Sequence, residues 1–353
     1  MPTAKTVDLR DLSQEEVNAL VAELGEKPYR AKQLWGWIWQ KHAASIEAMS
    51  DLPKGFRAQL AERVTYRPLT LAEQQRSSDG TIKCAFRTHD GFVVEGVLIP
   101  TETRLTACIS TQVGCSLTCA FCATGKLKRE RNLSAGEIVD QVVAIDRLAR
   151  QHHDKPLTNI VYMGMGEPLL NYANTMRSAE RISAEDGLGM SPRRITVSTA
   201  GIAKMIRKLA DDDARFNLAL SLHAANDKKR GMIMPINEQN SIAELMDALR
   251  YYTRKTRKEV TFEYILFRDF NDSPEDAQEL VRHCSTVHAK VNLIDYNSTD
   301  DGLFQGTAPG TALEFQRYLE GKGIIARIRR SRGRDIDAAC GQLANKNSAS
   351  HTA

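Results

Sequence analysis

The feature that most restricts the fold of this chain is a regular alternation of apolar runs and amphipathic helical runs after about residue 104. Because strands joined by helices pair in parallel, this alternation predicts an α/β fold built on a parallel sheet. The strand-like runs lie near residues 105–110, 159–163, 194–198, 216–222, 260–266, 289–294 and 324–328. Six or seven such units favour an incomplete (β/α)6 barrel over a full eight-stranded barrel, with an open doubly wound sheet as the alternative.

Residues 1–65 have a different pattern, which is typical of a small helical domain. Helical runs are predicted after the capping-box residue Ser13, over residues 29–41 and over residues 55–64. Trp35 and Trp39 share one face of the second helix. This spacing predicts core packing, and contact with RNA is the alternative interpretation because basic residues lie beside these aromatic side chains.

Residues 66–103 predict a short β linker between the helical domain and the barrel. Strand-like runs over 83–88 and 92–99 flank Asp90-Gly91, a dipeptide typical of a hairpin turn. The predicted segments are therefore 1–65, 66–103, 104–330 for the barrel, and 331–353 for a C-terminal loop and tail. The tail after about Leu343 has the composition of a disordered segment.

The charge balance, with 48 basic and 44 acidic residues, does not by itself require a polyanionic partner. The basic residues are nevertheless clustered, within residues 126–131, 193–194 and 327–334. The first and last of these clusters lie beside cysteine-bearing segments. This arrangement favours a phosphate-rich substrate near those cysteines, against the alternative of a solvated surface.

The sequence contains neither an apolar run of signal-peptide length at its start nor a stretch approaching the roughly 18 apolar residues of a membrane span. We therefore expect a cytoplasmic protein with no membrane partner. The chain has seven cysteines. In a reducing compartment, metal binding or catalysis is a better interpretation of these cysteines than a disulfide framework.

Three of the cysteines, Cys115, Cys119 and Cys122, lie within eight residues, directly after a predicted strand. No further cysteine or histidine follows at the spacing of a zinc ribbon. Three thiolates leave one iron of a four-iron cluster without a protein ligand, and an open coordination site distinguishes a reactive metal centre from a closed structural one. The motif therefore predicts a 4Fe-4S cluster, and a zinc knuckle with a distant fourth ligand is the alternative.

Polar residues and a glycine-rich turn follow four of the predicted strands, each at its carboxyl end. They are Gly166, Glu167, Ser198, Ser221, Leu222, His223 and Asn297. In α/β barrels this rim forms the active site, so the agreement of several strands predicts a cofactor site there. Taken singly, His223 is better interpreted as a structural histidine. The glycine-rich segment could be a tight turn, but without side chains on Gly164 and Gly166 the backbone can also approach a ligand closely.

The Cys-x3-Cys-x2-Cys motif, with Phe121 before its last cysteine, resembles that of the radical S-adenosylmethionine superfamily. The resemblance implies a 4Fe-4S cluster held by these three cysteines, with S-adenosylmethionine bound at the open iron. It also implies that an electron from the cluster cleaves the sulfonium bond and gives a 5′-deoxyadenosyl radical. The residues at the strand ends are then the predicted S-adenosylmethionine contacts.

A closer resemblance extends over nearly the whole chain. It rests on Gln112-Val-Gly-Cys115, Phe121-Cys-Ala-Thr-Gly125, Gly164-Met-Gly-Glu-Pro-Leu169, Ser191-Pro-Arg-Arg194, Ser221-Leu-His223, Met234-Pro-Ile-Asn237 and the segment from Asp335 to Leu343. These motifs resemble the family of dual-specificity RNA adenine-C2 methyltransferases. The resemblance implies 23S rRNA and tRNA as substrates, an RNA-binding role for residues 1–65, and an electron donor such as flavodoxin. We further expect a monomer.

The same resemblance assigns roles to residues outside the cluster. Cys340 matches the cysteine that receives a methyl group, and Cys108 matches the cysteine that releases the protein–RNA adduct by forming a disulfide with it. Glu95 matches the family's proton acceptor. As isolated residues, Cys340 and Cys108 would more often be small buried side chains, and Cys84 and Cys284 are left in that class.

Two other functions remain open from the sequence. A related enzyme that methylates C8 of a ribosomal adenine shares the cluster motif, both reactive cysteines and the fold; Pro168 after Gly-Glu favours the C2 enzyme. A function of another class is that of a noncatalytic RNA-binding assembly factor with a structural cluster. Such a factor would not need Cys108 and Cys340 together with polar residues at four strand ends.

Overall fold

A computed structural model describes residues 7–299 and 302–345. Of the tail after about Leu343 that is predicted to be disordered, residues 346–353 lie outside the described part of the chain. The first helices are α1 (Gln14–Glu23), α2 (Tyr29–Trp39) and α3 (Lys54–Arg63), as the sequence predicts. The predicted capping box is formed, because Ser13 accepts from the Glu16 amide and Glu16 accepts from the Ser13 amide.

A ten-stranded mixed sheet is the main structural unit of the described residues. Its strands are β1 (Thr70–Arg76), β2 (Ile82–Arg87), β3 (Val93–Pro100), β4 (Leu105–Cys108), β7 (Asn159–Tyr162), β8 (Ile195–Thr199), β9 (Asn217–Ser221), β10 (Val260–Leu266), β11 (Ala289–Asp295) and β12 (Ala326–Arg329), paired in that order. The short strands β5 (Gln112–Val113) and β6 (Arg131–Asn132) form a separate antiparallel pair.

The seven strands from β4 to β12 in this sheet are all parallel. Helices cover the crossovers: α4 (Ala135–His153), α5 (Tyr172–Ser183), α6 (Ala203–Asp211), α7 (Asp227–Ile233), α8 (Ile242–Thr256), α9 (Pro274–Thr286) and α10 (Pro309–Gly321). No pairing between the first and last strands closes the sheet within the described ranges. The incomplete α/β barrel is confirmed, and each predicted barrel strand is present within about two residues of its predicted ends.

The segment 66–103 forms part of the barrel sheet, since β3 pairs antiparallel with β4 and extends the sheet by three strands. The hairpin of β2 and β3 turns at Asp90-Gly91, as expected, with Gly91 at a φ of 87°. Strand β1 was not predicted as a separate strand. Its residues are mostly polar and exposed, so it has no alternation of apolar and polar side chains.

The helical N-terminal segment packs against the barrel helices. Buried Arg10 forms an ion pair with Asp140 of α4 at 2.5 Å, and the indole of Trp35 donates to Asp186 at 2.8 Å. Trp35 and Trp39 are buried with ring centroids 6.0 Å apart, which confirms the core-packing interpretation. No helix in the described residues is both long and apolar enough to cross a membrane.

Candidate active site

The carboxyl ends of the parallel strands bring together residues that are far apart in sequence. Ser198 lies near the end of β8 and Ser221 ends β9, and their hydroxyl oxygens are 3.3 Å apart. Leu222 follows β9 and is fully buried, and Asn297 follows β11. The structure therefore brings these predicted cofactor contacts to one rim, as the parallel topology requires.

The cysteine loop, defined as residues 114–126, crosses this rim after β5. The amide of Ala120 donates to the carbonyl of Ile233 at 3.0 Å, and the amide of Ala123 donates to the carbonyl of Gly341 at 2.8 Å. The loop packs on an apolar wall contributed by several strands and loops. That wall contains Phe121, Ala200, Ala224, Ile233, Met234, Ile265, Phe267, Ile294 and Tyr296. Cys119 and Cys122 thus pack partly buried against an apolar surface.

The thiols of Cys115, Cys119 and Cys122 are all free and lie near one another. Burial raises the pKa of Cys115 to about 11, and the pKa of Cys119 is raised further, by burial first and then by the charges of Cys122 and Cys115. Metal binding replaces these protons, because thiolates are the ligands of iron–sulfur clusters.

Contacts within the protein require glycine at two positions of the turn after β7. Gly166 has a φ of 95°, and a Cβ there would lie 2.5 Å from the Gln112 side chain. A Cβ on Gly164 would lie 2.6 Å from the hydroxyl of Ser110. The structure shows that both glycines allow a close approach of neighbouring protein segments, and the predicted approach of Gly166 to a cofactor stays a prediction.

Glu167 is buried and its carboxylate is already hydrogen-bonded. It accepts from the amide of Leu169 at 3.0 Å and from the amide of Ala200 at 2.7 Å. Burial raises the pKa of Glu167, and these hydrogen bonds oppose that shift. Its carboxylate oxygens still have lone pairs available, so the predicted contact with S-adenosylmethionine stays a prediction.

His223 is fixed in the wall of the site at a φ of 55°. Its Nδ1 accepts from the amide of Ile265 at 3.1 Å, which leaves the proton on Nε2, and its ring packs edge-on against Phe121 at 4.8 Å. Burial, together with the charge of Arg230, lowers the pKa of His223 to about 3. The imidazole is therefore neutral near neutral pH, and it holds the Phe121 side of the cysteine loop in place.

The C-terminal loop, defined as residues 331–345, brings Cys340 to the cysteine loop. Cys340 is exposed at the opening of the barrel. Loss of hydration, and then the charges of Glu263 and Cys122, raise the pKa of its thiol to about 11. Cys108 is buried on β4, and burial followed by the charge of Cys340 raises the pKa of its thiol to about 12. Cys340 therefore lies near both Cys108 and Cys122.

Long-range hydrogen bonds hold the C-terminal loop in this position. Asn297 donates to the carbonyl of Cys340 at 3.1 Å, and its own oxygen accepts from Arg334 at 3.0 Å. Thr124 of the cysteine loop donates to the carbonyl of Leu343 at 2.6 Å. The predicted cofactor residue Asn297 thus also positions the loop that carries Cys340.

Glu95 is buried on β3 and binds the end of the same loop. Its Oε2 accepts from the amide of Ala344 at 2.8 Å and from the amide of Asn345 at 3.1 Å. The Nζ of Lys83 lies 3.8 Å from its other oxygen. The structure therefore gives Glu95 a loop-holding contact that the sequence did not predict, and its role as a proton acceptor stays a prediction.

Comparison with known proteins identifies the family. Residues 7–65 match the ribosomal RNA large subunit methyltransferase N-terminal domain, and residues 109–282 match the radical SAM superfamily. A probable dual-specificity RNA methyltransferase RlmN from Christiangramia forsetii is 52% identical over 96% of both chains. This chain belongs to the RlmN family of radical SAM methyltransferases. The dual-specificity RNA methyltransferase RlmN of Anaeromyxobacter dehalogenans is 46% identical over 96% of this chain and 92% of its own.

A solved structure agrees with this assignment to the RlmN family. The crystal structure of a radical SAM methyltransferase from Sphaerobacter thermophilus matches this chain with a TM-score of 0.90 at 44% identity, covering 96% of this chain and 99% of that one. The family resemblance inferred from the motifs is therefore confirmed, and with it the radical SAM fold.

Two of the three basic clusters of this RlmN-family chain lie at opposite ends of the barrel. Arg329 ends β12 at the rim, and Arg329 and Arg330 are exposed. Arg193 and Arg194 are also exposed, but they directly precede β8 and so lie at the amino ends of the strands. A base at the rim therefore lies nearer to the 327–334 cluster than to the 193–194 pair.

Two charged residues at this RlmN-family site were missed by the sequence interpretation. Glu263 is buried on β10, near Cys340 and Arg329, and it accepts from the side-chain Nδ2 of Asn292 at 2.7 Å. Arg230 is fully buried on α7. Glu263 has a detectable signal, because it is the one charged residue in the otherwise apolar or uncharged strand β10. Arg230 follows two lysines on a short helix, so it looks like part of a solvated face.

Proposed function

We propose that this protein methylates C2 of adenine in 23S rRNA and in tRNA next to the anticodon, with Cys340 as the carrier of the methyl group. The observation that carries the proposal is that the C-terminal loop brings Cys340 to the cysteine loop. The neighbouring residue Gly341 accepts from the amide of Ala123, next to Cys122, at 2.8 Å, and Cys340 is near enough to Cys108 for their charges to interact. C2 of adenine is electrophilic, so direct displacement by the electrophilic methyl of S-adenosylmethionine is not feasible. A covalent route through a protein thiol avoids this obstacle.

The residues present fit a 4Fe-4S cluster at Cys115, Cys119 and Cys122. Three free thiols lie on one loop against an apolar wall, and a buried arginine lies behind them. In residues 7–299 and 302–345, no three His, Cys, Asp or Glu side chains converge as the ligands of a single metal ion do. Thiolates that each bind a different iron need not converge in this way. When bound, the cluster supplies the electron that cleaves S-adenosylmethionine to a 5′-deoxyadenosyl radical.

The residues at the strand ends then bind and orient S-adenosylmethionine. Ser198, Ser221 and Asn297 offer hydroxyl and amide groups at the rim, and Glu167 offers carboxylate lone pairs. Gly166, Leu222 and His223 fix the backbone and the wall around them. We assign these seven residues to the cofactor site because they all lie at the carboxyl ends of the strands, where the cysteine loop also lies.

Cys340 and Cys108 divide the remaining chemistry between them. The Cys340 thiolate would take a methyl group by displacement at S-adenosylmethionine, with S-adenosylhomocysteine as the leaving group. The 5′-deoxyadenosyl radical would then remove a hydrogen atom from that methyl group, the carbon radical would add to C2 of adenine, and the adduct radical would return one electron to the cluster. Glu95, buried behind the C-terminal loop, accepts the proton that leaves the ring. The Cys108 thiolate then attacks the Cys340 sulfur, forms a disulfide with it, and breaks the bond to the methylene carbon. That carbon takes a proton and becomes the methyl group of the released RNA.

The substrates define the expected partners of the protein. We assign residues 1–65 to RNA binding, 66–103 to a β segment beside the catalytic barrel of 104–330, and 331–353 to the segment that carries Cys340. A one-electron donor such as flavodoxin reduces the cluster, and the protein acts as a monomer in the cytoplasm, where both RNAs are found. The charge of Arg329 and Arg330 at the rim supports binding of phosphates there.

The test is mass spectrometry of RNA from a strain that lacks the gene, with and without the gene restored. Loss of 2-methyladenine from both RNAs, restored by the intact gene but not by a Cys340→Ala variant, supports the proposal. Loss of 8-methyladenine would instead identify the C8 enzyme, which shares this cysteine arrangement. Unchanged RNA would contradict both activities and favour the assembly factor.

A further inference from the structure

Arg230 is a fully buried cation that the proposed reaction does not use. It lies on α7, and its side chain has no exposed surface. The guanidinium donates to the carbonyls of Ala200, Ser221 and Leu222 and to the side-chain oxygen of Asn237, the last at 2.8 Å. Its nitrogens are therefore held by neutral acceptors at the carboxyl ends of β8 and β9, where the predicted cofactor residues lie.

No carboxylate in the described part of the chain forms an ion pair with this guanidinium within 4.0 Å. Asp227 is near enough to favour the charged form of Arg230, but its Oδ1 accepts from Asn237 at 2.9 Å and from the amide of Ile242 at 2.8 Å. Burial lowers the pKa of Arg230 to about 10, so it is still protonated near neutral pH. A buried charge without a close counterion is unfavourable, so we expect an anion near the protonated Arg230 side chain.

The cysteine loop is the anionic group that the structure brings to this cation. Three residues after Arg230, the carbonyl of Ile233 accepts from Ala120, which follows Cys119 directly. Ile233 also belongs to the apolar wall on which the cysteines pack. The charge of Arg230 favours the thiolate of Cys119 and disfavours protonation of His223, so both residues experience this cation across a water-poor region.

We propose that Arg230 is a positioning residue that places a fixed positive charge behind the cysteine-bound cluster and raises its reduction potential. This inference rests on the proposed function, because it assumes a cluster at Cys115, Cys119 and Cys122. Reduction adds one electron to a centre that three thiolates already make negative, and no bond forms or breaks in that step. A buried cation stabilises the more negative state, and low solvent access makes the effect larger than it would be at the surface.

Two pairs of variants separate the charge of Arg230 from its hydrogen bonds. Arg230→Lys keeps the charge, whereas Arg230→Gln keeps polarity and loses the charge. Asn237→Asp leaves Arg230 in place and adds a carboxylate at its Nη1, and Asn237→Ala removes the same contact without adding charge. The second pair does not alter the buried arginine itself, so it decides the question if the Arg230 variants fail to fold.

The measurement is an anaerobic redox titration with dithionite and viologen mediators, followed by electron paramagnetic resonance, at about pH 8 so that carboxylates are ionised. At a fixed solution potential, the ratio of reduced to oxidised cluster should fall about tenfold in Arg230→Gln. This corresponds to a decrease of about 59 mV in the one-electron reduction potential of the cluster. Asn237→Asp should change the ratio in the same direction. Arg230→Lys and Asn237→Ala should stay close to the unaltered protein. Bound iron and the melting temperature are measured on every variant.

The outcomes distinguish this inference from the function on which it rests. If Arg230→Gln and Asn237→Asp retain the cluster and titrate like the unaltered protein, the cation has no electrostatic role and the inference is wrong. The same holds if Asn237→Ala lowers the ratio as much as Asn237→Asp, because the effect is then structural. If the unaltered protein binds no cluster after reconstitution, the proposed function fails as well.

Discussion

The cysteine loop and the C-terminal loop each carry a part of the candidate chemistry, but they are positioned in different ways. The cysteine loop collects Cys115, Cys119 and Cys122 within eight residues, so chain connectivity alone keeps them near one another. The C-terminal loop reaches the same place through hydrogen bonds to Glu95, Thr124 and Asn297. Local spacing therefore determines the position of the three cluster cysteines. Contacts between residues about 40 to 250 positions apart in the sequence determine the position of Cys340.

This difference separates a robust part of the site from a part that depends on the rest of the fold. The cysteine loop needs the apolar wall behind it, which belongs to the barrel core. The C-terminal loop buries only small or single apolar side chains, Ala338, Ala339 and Leu343, and is otherwise held by polar bonds. Such bonds individually contribute about 0.5–1.5 kcal/mol to stability, or more where a charge takes part. The C-terminal loop should therefore be the easier of the two to displace.

The largest expected effect is on the cluster itself. Cys122→Ala should lose the cluster spectrum and most of the iron from a protein that otherwise binds about four irons after anaerobic reconstitution, because each thiolate holds one iron. Cys340→Ala should retain full iron, since Cys340 belongs to the other loop. Cys284→Ala, in the core on α9, is a further control. A full cluster spectrum in Cys122→Ala would refute the assignment of the metal ligands.

The next effect distinguishes the roles of the Cys340 and Cys108 thiols. Cys340→Ala should show neither a methylated cysteine nor a methylated RNA, because the methyl group has no acceptor. Cys108→Ala should fail later and accumulate a covalent protein–RNA adduct, visible on a denaturing gel. Cys108→Ser should trap the adduct as well, because a hydroxyl is a far weaker nucleophile than a thiolate. Normal turnover of the Cys108 variants, or a crosslink at a residue other than Cys340, would contradict the covalent route.

The arginines at the entrance of the C-terminal loop should affect RNA binding. A double variant, Arg329→Gln with Arg330→Gln, should weaken binding and reduce the salt dependence of the affinity by about one unit of slope per lost phosphate contact. The matched control is Arg193→Gln with Arg194→Gln, which removes the same charge at the other end of the barrel. Equal effects of the two double variants would mean that the charge acts without regard to position.

A smaller effect should follow from loosening the C-terminal loop at Glu95. Glu95→Gln keeps the shape of the side chain but removes the charge that accepts from the amides of Ala344 and Asn345. Hydrogen exchange of these two backbone amides should become about tenfold faster. A hydrogen bond to a charged acceptor contributes roughly 1.5 kcal/mol more than one to the neutral amide oxygen that replaces it. The amide of Ala123, which donates to Gly341 of the same loop, should also exchange faster, whereas exchange within the helix α8 should not change. The surface variant Glu259→Gln serves as the control.

The smallest effect concerns the pH dependence of the Cys340 thiol in protein without metal. Because the pKa of this thiol is raised to about 11, its alkylation rate should keep rising with pH beyond the range in which an ordinary thiol levels off. Glu263→Gln removes a negative charge beside it and should speed alkylation at about pH 8 severalfold, because the thiolate becomes easier to form. Peptide mass spectrometry quantifies the modified Cys340. No change in Glu263→Gln would mean that the charge of Glu263 does not control this thiol.

Much of the fold follows from the sequence because it depends on local periodicity. The barrel strands alternate with amphipathic helices whose apolar faces must be covered, and this pattern determines a parallel sheet whatever the exact packing. The cluster motif is local in the same sense. Strand β1 escaped the prediction because its exposed, polar residues are held in the sheet only by pairing with β2.

The sequence by itself determined the parallel barrel, the three-cysteine motif and the rim on which polar residues gather, because each depends on spacing along the chain. The tertiary structure alone decided that Glu95 holds the C-terminal loop, that Gly164 and Gly166 serve contacts within the protein, and that Arg230 is a buried cation behind the cysteine loop. The physical reason is that burial and charge pairing depend on which distant segments meet, and a single segment contains no information about its partners.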